Sequence, residues 1–127
     1  MKIEHLAMYV NNLEIMKEFY IKYFGATAND MYHNPRTGLQ TYFLSFKEGA
    51  RLEIMTRPDR IDSPKELYAT GFTHLAFTLG SKEKVDEMTA LMSKDGFKVL
   101  SGPRMTGDGY YESCFLDPEG NQIEIVA

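Results

Sequence analysis

Four side chains stand out by type and spacing: His5, Glu53, His74 and Glu124. Their neighbourhoods repeat. His5-Leu6-Ala7-Met8-Tyr9-Val10 returns as His74-Leu75-Ala76-Phe77-Thr78-Leu79, a shift of 69 positions. Arg51-Leu52-Glu53-Ile54-Met55 returns around Ile123-Glu124-Ile125-Val126, a shift of 71 counted from Glu53 to Glu124. Each copy of the repeat thus runs from a histidine to a glutamate, 48 residues apart in the first and 50 in the second. Two imidazoles and two carboxylates at matched places can surround one divalent ion. Four N/O donors with coordination positions left open suit a catalytic transition metal, and the lack of cysteine ligands disfavours a structural zinc site. Taken singly, a histidine near a strand end or a glutamate on a strand face is more often a solvated surface residue. The matched pairing is what favours the metal.

The elements around these residues must carry them to one place. Residues 3–10 alternate as a strand does, and Asn11 or Asn12 can cap a helix with Leu13, Met16, Phe19, Tyr20 and Tyr23 on its apolar stripe. Gly25 stands where a glycine stops a helix. A strand near 26–32, a turn at 34–38 and strands at 40–47 and 51–56 follow. Residues 57–71 read as a linker. The second copy repeats the order: a strand at 73–79, a helix capped by Ser81 with Val85, Met88, Leu91 and Met92 inward, and Gly96 at its end. A strand at 97–100, a polar loop at 101–109, and strands at 110–116 and 122–126 complete it. Asp117-Pro118-Glu119-Gly120-Asn121 is a turn by composition. The expectation is one domain over 1–127, with a first βαβββ module at about 1–56 and a second at about 72–127.

Parity decides where the four side chains point, since residues i and i+2 of a strand share a face. Leu6, Met8 and Val10 form one apolar face, as do Leu75, Phe77 and Leu79. His5, Ala7 and Tyr9, and His74, Ala76 and Thr78, lie opposite. Leu52 and Ile54, and Ile123 and Ile125, face the helices, so Glu53 and Glu124 face away. Ala7 and Ala76 leave room beside the histidines, and Met55 and Val126 add an apolar wall. His33 has no partner in the other copy and reads as a loop residue.

The bulk numbers exclude several classes. A net charge of −4 argues against nucleic acid as the main partner, because phosphate contacts need a basic face. No run of about 18 apolar residues is long enough for a membrane span. The single cysteine, Cys114, permits no intrachain disulfide, and Met1-Lys2-Ile3 leads into the repeat without a signal-peptide core. A cytoplasmic protein is expected.

The His…Glu…His…Glu spacing on two βαβββ modules resembles the vicinal oxygen chelate superfamily, and within it glyoxalase I. The resemblance covers the whole chain. It is carried also by Phe72-Thr73-His74-Leu75-Ala76-Phe77 and by the ending Phe115-Leu116-Asp117-Pro118-Glu119-Gly120-Asn121-Gln122-Ile123-Glu124-Ile125. It implies an α+β fold in which the two modules form a paired, cup-shaped mixed β-sheet with helices on the outer face. It implies one divalent metal held by His5, Glu53, His74 and Glu124: nickel or cobalt first, zinc as the alternative, manganese or iron also compatible. The implied reaction converts a hemithioacetal of methylglyoxal, or a related α-oxo thiol adduct, through a metal-bound enediolate. Glu124 is the implied base and Glu53 its symmetric counterpart, and exchange of their roles stays open. The resemblance further implies a homodimer.

Other branches differ in their ligands. The superfamily's ring-cleaving dioxygenases and fosfomycin-inactivating thiol transferases usually use three, and methylmalonyl-CoA epimerase usually has glutamine at the place of Glu53. An epimerase, a thiol transferase, a dioxygenase and a non-catalytic binding or resistance protein are the alternatives. The chain also departs from glutathione-using enzymes, which usually carry arginine at the place of Tyr9 and asparagine at the place of Arg57. Tyr9, Met55 and Arg57 are candidate substrate contacts. So are Arg104 and Tyr110, in a segment at 102–111 expected to cover the substrate, and Arg36 lies in another loop within possible reach.

Overall fold

The computed structural model describes all 127 residues, in two compact units, Met1–Ser63 and Pro64–Ala127. The first contains β1 (His5–Tyr9), α1 (Leu13–Phe24), β2 (Thr27–Ala28), β3 (Tyr32–His33), β4 (Gln40–Ser45) and β5 (Arg51–Thr56). The second contains β6 (His74–Thr78), α2 (Lys82–Lys94), β7 (Val99–Met105), β8 (Tyr111–Leu116) and β9 (Gln122–Val126). Each forms a mixed sheet. The orders are β1-β5-β4-β2, with β3 also on β4, and β6-β9-β8-β7. The first and last strands of each unit run parallel at one side of its sheet.

The helices form where the sequence caps them. Asn12 Oδ1 accepts from the Ile15 amide at 3.0 Å, and Ser81 Oγ accepts from the Lys84 amide at 3.3 Å. Gly25 ends α1 in the left-handed region at φ 63°, and the Ala26 amide reaches back to the Tyr20 carbonyl at 3.2 Å. Met16, Phe19 and Tyr20 of α1 are buried with Leu44, Leu52 and Ile54 in the core of the first unit. Val85 and Met92 of α2 are buried with Phe115, Ile123 and Ile125 in the second. Burying side chains of this size stabilises each unit by roughly 1.5–3 kcal/mol apiece. The opposite sheet faces, which carry His5, Glu53, His74 and Glu124, are left by the helices.

Four expectations need correction. The strand near 26–32 is two short strands, because the Asn29 side chain accepts from the Phe43 amide and interrupts the ladder. His33 belongs to β3 opposite Gln40 rather than to a loop. On α2, Leu91 is exposed and Thr89 is buried instead, its hydroxyl donating to the Val85 carbonyl at 2.6 Å and meeting Ser113 Oγ at 2.7 Å. The stretch 101–109 is mostly strand: β7 runs through Met105, and Gly102 and Pro103 shift its register against β8 without ending it. Gly102 is required there, since a Cβ would lie 2.5 Å from the Glu112 carbonyl oxygen and its φ is 89°. No helix is long and apolar enough to cross a membrane.

Candidate functional site

Parallel pairing explains the long spacing of each His/Glu pair. Ala7 lies opposite Glu53 across β1 and β5, and Ala76 opposite Glu124 across β6 and β9. Each histidine, two residues before its alanine, is the diagonal neighbour of the glutamate on the same face. His5 Nε2 lies 3.7 Å from Glu53 Oε2, and His74 Nε2 lies 3.5 Å from Glu124 Oε2. The glutamate side chains are 16% and 19% exposed, the histidines 39% and 35%. Donors bonded to one ion at ordinary lengths lie about 3.0–3.4 Å apart between octahedral and tetrahedral angles. Each pair therefore fits two ligand positions after a movement of a few tenths of an ångström. The structure thus brings together His5 with Glu53 and His74 with Glu124. Neither unit gathers three or more His, Cys, Asp or Glu side chains suited to a metal ion.

The settings of the two pairs differ. His5 is braced: its Nδ1 meets the Glu4 carboxylate, which also meets the Arg51 guanidinium. Its ring stacks edge-on against Phe43 at 5.3 Å. With Nδ1 held by a carboxylate, Nε2 is the nitrogen turned toward Glu53, the arrangement in which imidazole serves as a metal ligand. In the second unit the crowding falls on the glutamate. Glu124 lies diagonally across the strands from Glu112, and Glu112 Oε1 accepts from Arg104 at 3.3 Å. Burial pushes the Glu124 carboxyl above the usual carboxylate range; His74 opposes this and Glu112 adds to it. Cys114 stands directly opposite Glu124, where the first unit has Phe43 opposite Glu53.

The candidate substrate residues are placed as follows. Tyr9 lies opposite Met55 and is half exposed. Arg57, just past β5, is clamped bidentately by Asp59, with Nη2 to Oδ2 at 2.9 Å. Asp59 and, after it, the Tyr9 hydroxyl hold the guanidinium firmly protonated. Arg104 lies on β7 against Glu112, and Tyr110 is exposed in the β7–β8 turn, where its carbonyl accepts from the Thr106 amide. A cavity of about 200 Å³ in the second unit is lined by Lys65, Phe72, Thr73 and Gln122 among others, next to His74 in the chain. Asp117 is a turn residue and no ligand: it accepts from the Glu119 and Asn121 amides at 2.9 Å each. Glu4 and Glu112 escaped the repeat reading because it looked for identity between copies, and their counterparts are Thr73 and Thr41. Parity alone would have found Glu112, since Ser113 and Phe115 face the helix.

Comparison with known proteins agrees with this fold. The sequence model of the Glyoxalase/Bleomycin resistance protein/Dioxygenase superfamily matches residues 2–125. The uncharacterized protein YqjT of Bacillus subtilis (strain 168) is 28% identical over 129 residues, covering 98% of each chain. A glyoxalase family protein from Enterococcus faecalis shares the fold with a TM-score of 0.80 at 24% identity, over 99% of this chain and 97% of its own. The trypanothione-dependent glyoxalase I of Leishmania major does so with a TM-score of 0.79 at 19% identity, over 99% and 86%. The two α+β units with their helix-free sheet faces, and the match over almost the whole length, place the chain in the Glyoxalase/Bleomycin resistance protein/Dioxygenase superfamily.

Proposed function

We propose that the protein is a metal-dependent lyase or isomerase of the glyoxalase I kind, acting on a hemithioacetal of methylglyoxal or a related α-oxo thiol adduct. The observation that carries this reading is the duplicated pair: in each unit a His Nε2 and a Glu Oε2 stand 3.5–3.7 Å apart on the helix-free face. His5, Glu53, His74 and Glu124 are the proposed ligands of one divalent ion, nickel or cobalt first and zinc second, in a homodimeric protein. Held by these residues, such an ion would supply Lewis acidity that eases loss of a C–H proton from the substrate. Glu124 takes that proton on its carboxylate and returns it to the neighbouring carbon, so the proton is conserved and the substrate isomerises. Tyr9, Met55 and Arg57 of the first unit, with Arg104 and Tyr110 of the second, are the proposed substrate contacts.

A second reading is favoured by one observation. Tyr9 and Arg57, the latter clamped bidentately by Asp59, stand at the two places where the glutathione enzymes usually carry other residues. A branch enzyme acting on a chelating substrate other than a glutathione adduct fits that arrangement. Metal analysis of the purified protein, followed by assays of methylglyoxal with several thiols, tests both readings. One equivalent of metal is expected, reduced at least tenfold in His74→Ala and in Glu53→Ala. Stoichiometric metal in those variants would remove the site. Bound metal without turnover of any thiol adduct would favour the second reading.

A further inference from the structure

Around His5 three side chains form a clamp that the second unit lacks. Glu4, just before β1, meets His5 Nδ1 with Oε2, and its Oε1 accepts from Arg51 Nη2. Arg51 is the direct cross-strand partner of His5, and its amide donates to the Glu4 carbonyl at 3.1 Å. The Arg51 guanidinium lies over the Phe43 ring at 4.3 Å, and Phe43 meets the His5 ring edge-on at 5.3 Å. In the second unit Thr73 stands for Glu4, Gln122 for Arg51 and Cys114 for Phe43. The residue before His74 therefore offers it no carboxylate.

Glu4 is exposed, and an exposed ion pair adds little stability by itself. What the carboxylate does decide is which ring nitrogen of His5 carries hydrogen. An acceptor at Nδ1 keeps the hydrogen there and leaves a lone pair on Nε2. That nitrogen faces Glu53 Oε2 at 3.7 Å, beyond hydrogen-bond length, so two electron-pair donors point at one space. We propose that Glu4 is a positioning residue for His5: braced by Arg51, it fixes the Nδ1–H tautomer and the direction of the ring, so that Nε2 stands ready as a metal donor before any ion arrives. This rests on the metal-dependent reading above and adds to it a residue outside the ligand set, acting in one half only. Such outer partners typically set ligand orientation and change metal affinity or activity about 10–100-fold when lost.

The simpler account is that Glu4 and Arg51 are a cross-strand ion pair that steadies the start of β1. It predicts a change in thermal midpoint and none in the imidazole. The test is long-range ¹⁵N–¹H NMR of the chelator-stripped full-length protein at about pH 8.5, above the ordinary imidazole range. The His5 signals are assigned by their loss in His5→Gln, and the same preparations are titrated calorimetrically with Ni²⁺. Wild-type His5 should carry its hydrogen on Nδ1. Glu4→Ala should shift it toward Nε2 and bind Ni²⁺ about tenfold more weakly. The amide oxygen of Glu4→Gln can still accept from Nδ1–H, so this variant should keep the tautomer and stay within about threefold of wild type in affinity. Arg51→Ala should shift the tautomer in part and bind about threefold more weakly, and it carries the test if Glu4→Ala fails to fold.

Hydrogen on Nε2 of wild-type His5 would overturn the proposal. So would a wild-type tautomer or wild-type affinity in Glu4→Ala, equal losses in the Gln and Ala variants or, where Arg51→Ala carries the test, an unchanged tautomer or unchanged binding. If wild type binds Ni²⁺ and His74→Ala does not, yet Glu4→Ala is unchanged, the positioning role alone falls. If wild type binds no divalent metal, the reading of the site falls, and this inference falls with it.

Discussion

In the first unit the surrounding side chains crowd the histidine. Glu4 takes Nδ1 of His5 and Phe43 supports its ring, while Arg51 both meets Glu4 and lies over Phe43 at 4.3 Å. In the second unit they crowd the glutamate, with Glu112 beside it, Arg104 behind Glu112 and Cys114 opposite. The backbone frame is the same in both: the parallel outer strands place alanine opposite glutamate and leave histidine on the diagonal. Duplication kept the register, which fixes the donor spacing, and let the neighbours diverge, which tune each donor. Under the proposed function, one half is built for a rigid imidazole ligand and the other for a carboxyl that must exchange a proton.

The sharpest way to break this comparison is to neutralise each glutamate in turn. A general base contributes about 10²–10⁴-fold to turnover. Glu124→Gln is therefore expected to lower kcat by that range. Glu53→Gln should act mainly through metal affinity and lower kcat by about tenfold at metal saturation. Steady-state kinetics with excess metal separates the two. Equal losses would erase the distinction between the halves, and a larger loss in Glu53→Gln would reverse the roles.

A smaller effect tests the scaffold beneath the comparison. Gly25 and Gly102 both have positive φ, but a Cβ at Gly25 meets nothing within 4 Å, whereas one at Gly102 strikes the backbone of Glu112 and Ser113. Gly25→Ala should cost about 1–2 kcal/mol, the left-handed penalty alone. Gly102→Ala adds overpacking and should cost about 3 kcal/mol or more. Denaturant midpoints read both. Equal costs would mean that β7 yields easily, and Arg104 with it.

How much of this was legible in the residues depends on what each feature obeys. The caps at Asn12, Ser81 and Gly25 are local chemistry, and they stand where the sequence puts them. The sheet faces obey a two-residue period, so the exposure of His5 and His74 and the coverage of Leu52, Ile54, Ile123 and Ile125 follow from alternation. Tertiary pairing was less legible. Gly102 and Pro103 read as loop formers, yet β8 supplies enough partners to carry the strand through them as register shifts. Thr89 looks polar on an apolar stripe, but a hydroxyl that finds Val85 and Ser113 can be buried. Glu112 was invisible to a search for repeated residues because its meaning lies in a cross-strand diagonal.

A last expected effect sharpens the contrast at one position. Phe43 opposite Glu53 is replaced by Cys114 opposite Glu124. Burial first, then Glu124 and Glu112, pushes the Cys114 thiol from an ordinary value of 9.0 up to about 11. Only the thiolate attacks alkylating agents, so at pH 8 Cys114 should react with iodoacetamide about 100-fold more slowly than an unperturbed thiol. The folded chain holds this proton more tightly than the unfolded chain, which ionises first. The contribution to stability is therefore fully present below about pH 9 and is lost as pH rises toward 11. Denaturant midpoints of wild type should fall between pH 8.5 and 10.5 more than those of Cys114→Ser. Because Glu112 contributes to the rise, Glu112→Gln should speed alkylation at pH 8, whereas Glu4→Gln in the first unit should leave it unchanged. Alkylation at the rate of a free thiol in wild type would show that the carboxylates do not converge on this face, and the contrast between the two halves would lose its electrostatic basis.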